Sequence, residues 1–111
     1  MQLKVFVDGQ MFPIQIPEEL VEEAKPFFDR MDRDMDRGWQ MSRTWVDSPD
    51  AEQRCQIAAD KMLTAMEQGN DNMIAMMAAY ILYKMPDVRE VYIDISGDMQ
   101  ETDIVTADAL R

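Results

Sequence analysis

The stretch Met1 to Ile16, MQLKVFVDGQMFPIQI, decides the fold of this chain. Leu3, Val5 and Val7 alternate with polar or mixed neighbours, and after Asp8-Gly9 the alternation resumes at Phe12, Ile14 and Ile16. Alternation of period two marks strands. Asp-Gly between two such runs marks a two-residue hairpin, because a type I′ turn needs positive φ at both central residues. The turn sets the register: Val7 faces Gln10, Val5 faces Phe12, Leu3 faces Ile14, and Met1 faces Ile16. One face of the hairpin is then apolar, and the other carries Gln2, Lys4, Phe6, Met11, Pro13 and Gln15.

Pro13 places the hairpin in its sheet. Counted from the turn, Lys4 and Pro13 form a non-hydrogen-bonded pair. The missing N–H of Pro13 therefore points away from the first strand, where the hairpin does not need it. It obstructs a further strand on that side. The second strand is expected at an edge, with any third strand beside the first. Val91, Ile93 and Ile95, alternating with Tyr92 and Asp94, supply that third strand.

Between the hairpin and this strand the spacing turns helical. Pro17, Glu18 and Glu19 suit a first turn, since proline loses no needed hydrogen bond there and acids favour the positive end of the dipole. Leu20, Ala24, Phe27, Phe28, Met31 and Met35 continue as an apolar stripe. Pro26 interrupts it, and because the stripe stays in phase a kink or short break is expected. Gly38 to Asp47 holds both tryptophans and reads as a connection. Ser48 is the expected N-cap of the next helix, with Pro49 at its first position. Its stripe is Ala51, Cys55, Ala58, Met62, Ala65 and Met66, and Gly69 ends it. Asn70 or Asp71 caps the last helix, which runs to Met85. That helix is apolar nearly all round, so it should be the central one. The expected architecture is α+β, ββαααβ: a three-stranded sheet of order 2-1-3 with three helices on one face. Residues 1–96 form the expected domain, and 97–111 a flexible acidic tail.

Composition narrows the function. There are 22 acidic residues against 11 basic ones and no histidine. The net charge of −11 should repel nucleic acid and anionic membrane, so direct nucleic-acid binding is not expected. The single cysteine, Cys55, allows no intrachain disulfide and suits a reducing compartment. No signal peptide pattern opens the sequence, and the apolar run Met73–Tyr83 is about half the ~20 residues that span a bilayer. A soluble, cytoplasmic protein is expected.

The candidate chemistry is sparse. Asp32-Arg33-Asp34-Met35-Asp36 resembles the opening of a calcium loop. Its sixth position is Arg37 where glycine is needed, and its twelfth is Arg43 where glutamate is needed. Asp29/Arg33 and Arg30/Asp34, four apart, read instead as helix-stabilising pairs. Cys55 lies on an apolar stripe with no histidine to activate it, so it reads as packing. Most methionines, including Met62, Met66, Met73, Met76, Met77 and Met85, read as core. No catalytic residue, cofactor or metal ligand is expected. The partner-binding candidates are Phe6 and Met11, facing each other on the uncovered side of the hairpin, and Trp39 and Trp45 in the connection. Aromatic residues in exposed positions offer large contact area at low entropic cost.

The hairpin with a glycine turn (KVFVDGQMFPIQIP, residues 4–17), the acidic helix start (EELVEEA, 18–24) and the later apolar helix (NMIAMMAAYILYKM, 72–85) resemble the N-terminal layout of the bacterial cell-division ZapA family. The resemblance covers about half the chain and is one of pattern. It implies a small head domain, which in that family continues into a long, tetramer-forming coiled coil. Here Pro86 stops the last helix and a strand follows, so the coiled coil is missing. The expected function is a non-enzymatic protein–protein interaction module, monomer or homodimer. The alternatives are an acidic decoy that imitates nucleic-acid phosphates for a basic partner, and an enzyme using paired carboxylates.

Overall fold

A computed structural model of the chain describes residues 1–110. Its hairpin has the register set by the Asp-Gly turn: β1 (Gln2–Val7) and β2 (Gln10–Gln15) pair with Val7 opposite Gln10, Val5 opposite Phe12 and Leu3 opposite Ile14. Asp8 and Gly9 both have positive φ, 51° and 79°, as a type I′ turn requires. Met1 and Ile16 exchange both backbone hydrogen bonds, at 2.8 and 2.9 Å. This confirms the parity that leaves Pro13 opposite Lys4 in a non-bonded pair.

The third strand joins on the other side of β1, in parallel. It is β5 (Val88–Ile93), one residue pair of which is Val5 opposite Val91. Expected strand residue Ile95 lies beyond its end and is exposed. The carboxylate of Asp94 accepts instead from the backbone N–H groups of Ser96 and Asp98 and from the Ser96 hydroxyl, turning the chain. Among the described residues the sheet has four strands where three were expected, in the order β2-β1-β5 followed by Asp103–Thr106.

The fourth strand corrects the expectation of a flexible acidic tail. β6 (Asp103–Thr106) pairs antiparallel with β5, and Ile104 is buried against the core. The preceding 3-10 turn, Met99–Glu101, is tied down as well. The Gln56 amide donates to the carbonyls of Gln100 and Thr102 at 3.1 and 3.0 Å. The buried Thr102 hydroxyl accepts from the Asp94 N–H. Met99 N–H donates to the Ser42 hydroxyl. These bonds satisfy backbone groups that would otherwise be costly at a partly buried edge.

Among the described residues there are four α-helices where three helices were expected. α1 (Glu18–Glu23) ends at Ala24, and α2 (Lys25–Asp36) begins one residue later with Pro26 in its first turn. A proline there removes no helical bond, so the break resolves the conflict that an interior position would create. Ala24, Phe28, Met31 and Met35 are nonetheless all buried, so the stripe crosses the break in phase. α3 (Ala51–Gln68) is capped by Asp50, not by Ser48. Asp50 accepts from Gln53 N–H at 2.8 Å while the Gln53 side chain accepts from Asp50 N–H at 2.9 Å, a reciprocal capping box. Gly69 ends α3 in the left-handed region, and Asn70 caps α4 (Asp71–Lys84).

The expected connection over residues 38–47 contains a second, two-stranded sheet. β3 (Trp39–Met41) and β4 (Thr44–Val46) pair around Ser42, whose φ is +59°. The core lies between the helices and one face of the large sheet. Leu3, Val5, Val91 and Ile104 meet Phe28, Met62, Met77, Tyr80 and Ile81 there. Residues 77 to 82 of α4 are all buried, as its apolar circumference requires.

Candidate functional site

The outer face of the four-stranded sheet carries the residues that alternate with the core set. Phe6 lies opposite Met11 on one side and Tyr92 on the other. The Phe6 and Tyr92 rings stack with centroids 4.3 Å apart and planes 8° from parallel. Met11 is 47% exposed and Tyr92 41%, while Phe6 between them is half-buried. The three form one apolar diagonal across β2, β1 and β5. Stacked aromatic contacts of this kind contribute about 0.5–1.5 kcal/mol beyond area burial, so the patch is held in shape before anything meets it.

Charged groups border this diagonal. Glu90 accepts a 2.9 Å hydrogen bond from the Tyr92 hydroxyl, which first, with its charge, raises the tyrosine above its ordinary range. Asp103 lies opposite Tyr92, and Lys4 opposite Glu90. Tyr92 was not among the sequence candidates. The signal for it was available: once β5 is parallel to β1, Tyr92 alternates with the buried Val91 and Ile93.

The two tryptophans do not share a surface. Trp39 pairs with Val46 and Trp45 with Gln40, so alternation sends the two rings to opposite faces of the small hairpin. Trp39 packs against the core, with Lys61 Nζ 4.9 Å from its ring centroid. Trp45 is 55% exposed and lies over Gly38, where an added Cβ would meet its Cζ2 at 2.3 Å. Its indole N–H is already engaged, donating to Asp47 at 2.7 Å.

A polar cluster that the spacing of α2 did not suggest joins three helices. Asp32 Oδ1 accepts from the Tyr80 hydroxyl at 2.6 Å and from Arg54 at 3.2 Å, and Lys84 Nζ lies 2.7 Å from Oδ2. Arg54 also pairs with Asp36 at 2.7 Å. Burial works to raise the Asp32 carboxyl, but the bonds from Lys84, Tyr80 and Arg54 outweigh it and hold the group below its ordinary value. Among the described residues, Asp29–Arg33 and Arg30–Asp34 do not come within ion-pair distance, contrary to the helix spacing. Asp32 reaches across to α3 and α4 instead, and Asp36 to α3.

Cys55 is fully buried beside the Ile81 carbonyl, and burial pushes its thiol up to about 12. A thiol so desolvated supplies no thiolate near neutral pH. Met62 and Met77 are buried, and Met66, Met73, Met76 and Met85 pack half-buried against the core. Among the described residues no group of three His, Cys, Asp or Glu side chains is placed to hold a metal ion. No helix among them is long and apolar enough to cross a membrane. Comparison with family models, with curated proteins and with solved structures finds no match for this chain.

Proposed function

We propose that this protein is a non-enzymatic interaction module that docks a partner protein on the open face of its four-stranded sheet. The observation that carries this is the preformed diagonal of Met11, Phe6 and Tyr92, which no element among the described residues covers. Exposed large apolar side chains gathered on one face mark contact surfaces more often than scattered ones do. Pairing through the β2 edge is a poor alternative, because Pro13 offers no outward N–H to an added strand. A side-chain-mediated face contact is favoured over strand addition.

The chemistry of the partner follows from charge. Two copies of a chain with a net charge of −11 repel, which disfavours self-association through this face. Glu90 and Asp103 beside the apolar diagonal suit a partner whose apolar anchor is flanked by lysine or arginine. The resemblance of the sequence pattern to a cell-division head domain is compatible with such a role. The test is affinity capture from lysate with wild-type protein and with Phe6→Ser and Met11→Ser, each checked for unchanged thermal melting. A specific partner should be retained by the wild type even in about 1 M salt, where the Debye length is ~3 Å, and lost from both variants. A partner released by salt and indifferent to both substitutions would instead support the acidic decoy. Trp45→Ala should leave capture unchanged, because its ring lies on the other sheet.

A further inference from the structure

Eleven basic residues are spread through this acidic chain, and four of them line one groove. Arg30, Arg33 and Arg37 come from α2 and its C-terminal cap, and Lys61 from α3. The cap position adds the negative end of the helix dipole, which favours cations there. Asp34 is the one carboxylate in the lining. Asp60 stands near Lys61 but belongs to the adjoining depression. None of the four cations forms an ion pair among the described residues: the pairs present use Lys25, Arg54 and Lys84. Arg30 and Lys61 rest against the rings of Phe27 and Trp39.

Beneath the cations the groove is apolar. Phe27 and Met73, half-buried, with the buried Met31 and Met77 supply its apolar lining, and its volume is about 440 Å³. That falls within the ~300–1,000 Å³ of small-molecule sites, which combine an apolar lining with a few placed polar groups. Methionines also let such a lining adapt to ligand shape.

We propose that this groove binds a small organic anion: an apolar body seated against the apolar lining, with a phosphate or carboxylate head held by Arg33, Arg37 and Lys61. Guanidinium groups match both heads with paired hydrogen bonds. The whole-molecule charge selects a ligand of low charge. An acidic polypeptide would be repelled in proportion to its own charge, whereas a ligand with one or two charges meets mainly the local cations. This site shares no residue with the sheet face, so it stands or falls independently of the partner-docking proposal.

The test uses the full chain and the fluorescent probe 8-anilinonaphthalene-1-sulfonate, an aromatic body with an anionic head. Saturable binding of one probe per chain is expected. Arg33→Gln/Arg37→Gln should weaken it by about tenfold or more, and Lys61→Gln, on a different helix, should weaken it separately. Arg43→Gln, a cation outside the groove, should change nothing. In competition, 1-naphthyl phosphate and 1-naphthaleneacetate should displace the probe, with their ranking identifying the preferred head. Inorganic phosphate alone and neutral 1-naphthalenemethanol should both compete poorly. The proposal is overturned if the groove variants, folded by thermal melting, bind like wild type, or if the neutral compound competes as well as the anions. It is equally overturned if an oligo-glutamate peptide displaces the probe better than either naphthyl anion.

Discussion

Asp32 joins three helices through one carboxylate, and its removal should be felt in all of them. Asp32→Ala leaves Lys84 without its ion-pair partner, the Tyr80 hydroxyl without its carboxylate acceptor and Arg54 with Asp36 as its only carboxylate, at an expected cost of about 2–3 kcal/mol in urea denaturation. Asp32→Asn keeps an oxygen for Tyr80 and should cost less. The pH dependence has a definite sign. Because the folded protein holds this carboxyl below its ordinary value of 3.8, the stabilisation is complete above that value and disappears as pH falls through the folded one. The stability gap between wild type and Asp32→Asn should therefore hold steady from pH about 6 to about 5 and narrow as pH falls past 3.8, and a gap that stayed constant below that value would contradict the ion-pair account. Gly38 poses a different single-residue problem. Its φ of +95° disfavours any Cβ, and the Trp45 ring occupies the space a Cβ would take. Gly38→Ala should lower stability by about 1–3 kcal/mol. In a Trp45→Ala background only the backbone strain remains, so the penalty should shrink; thermal melts of the wild type and the three variants of the cycle decide it.

At the scale of elements, β6 matters most, because a mobile tail and a sheet strand respond oppositely to mutation. Ile104 is buried on the core face, so Ile104→Ala should cost about 2–4 kcal/mol, whereas in a loose tail it would cost nothing measurable. Urea midpoints at constant m-value provide the measurement. The hairpin was legible in the sequence because three constraints agreed: alternation, a turn dipeptide and one proline. β6 was not, since four residues with a single buried apolar side chain present no periodicity, and its anchoring depends on Gln56 and Ser42 from distant segments. β3 and β4 escaped for a related reason. They are three residues each, and their turn places Ser42 at positive φ where glycine or asparagine would have signalled a hairpin. Of the candidate surface, Phe6 and Met11 followed directly from register. Tyr92 required the parallel pairing of β5, and the groove cations required α2 and α3 to be packed together.

The whole molecule carries its excess of acid within a radius of gyration of 13.0 Å, close to the ~10 Å Debye length at 0.1 M salt. At about 10 mM salt, where the Debye length is ~30 Å, like charges across the molecule, 33 Å in its longest extent, interact, and this repulsion opposes the folded state. Few attractions on the surface offset it. Lys25–Glu22 is an exposed pair bridging the end of α1 and the start of α2, and exposed pairs contribute about 0–1 kcal/mol. The other ion pairs converge on Asp32 and Arg54, whose side chains are only 18% and 11% exposed, and partly buried pairs are screened less than exposed ones. Salt should then remove more repulsion than attraction. Raising sodium chloride from about 10 mM to about 0.5 M at neutral pH should increase the melting temperature by a few degrees. The same titration on Asp32→Asn should show at least as large a rise, because that variant has lost attractive pairs that salt weakens while most of the surface repulsion remains. A melting temperature that fell steadily with salt would mean that exposed attractions, and not self-repulsion, dominate the electrostatics of this chain.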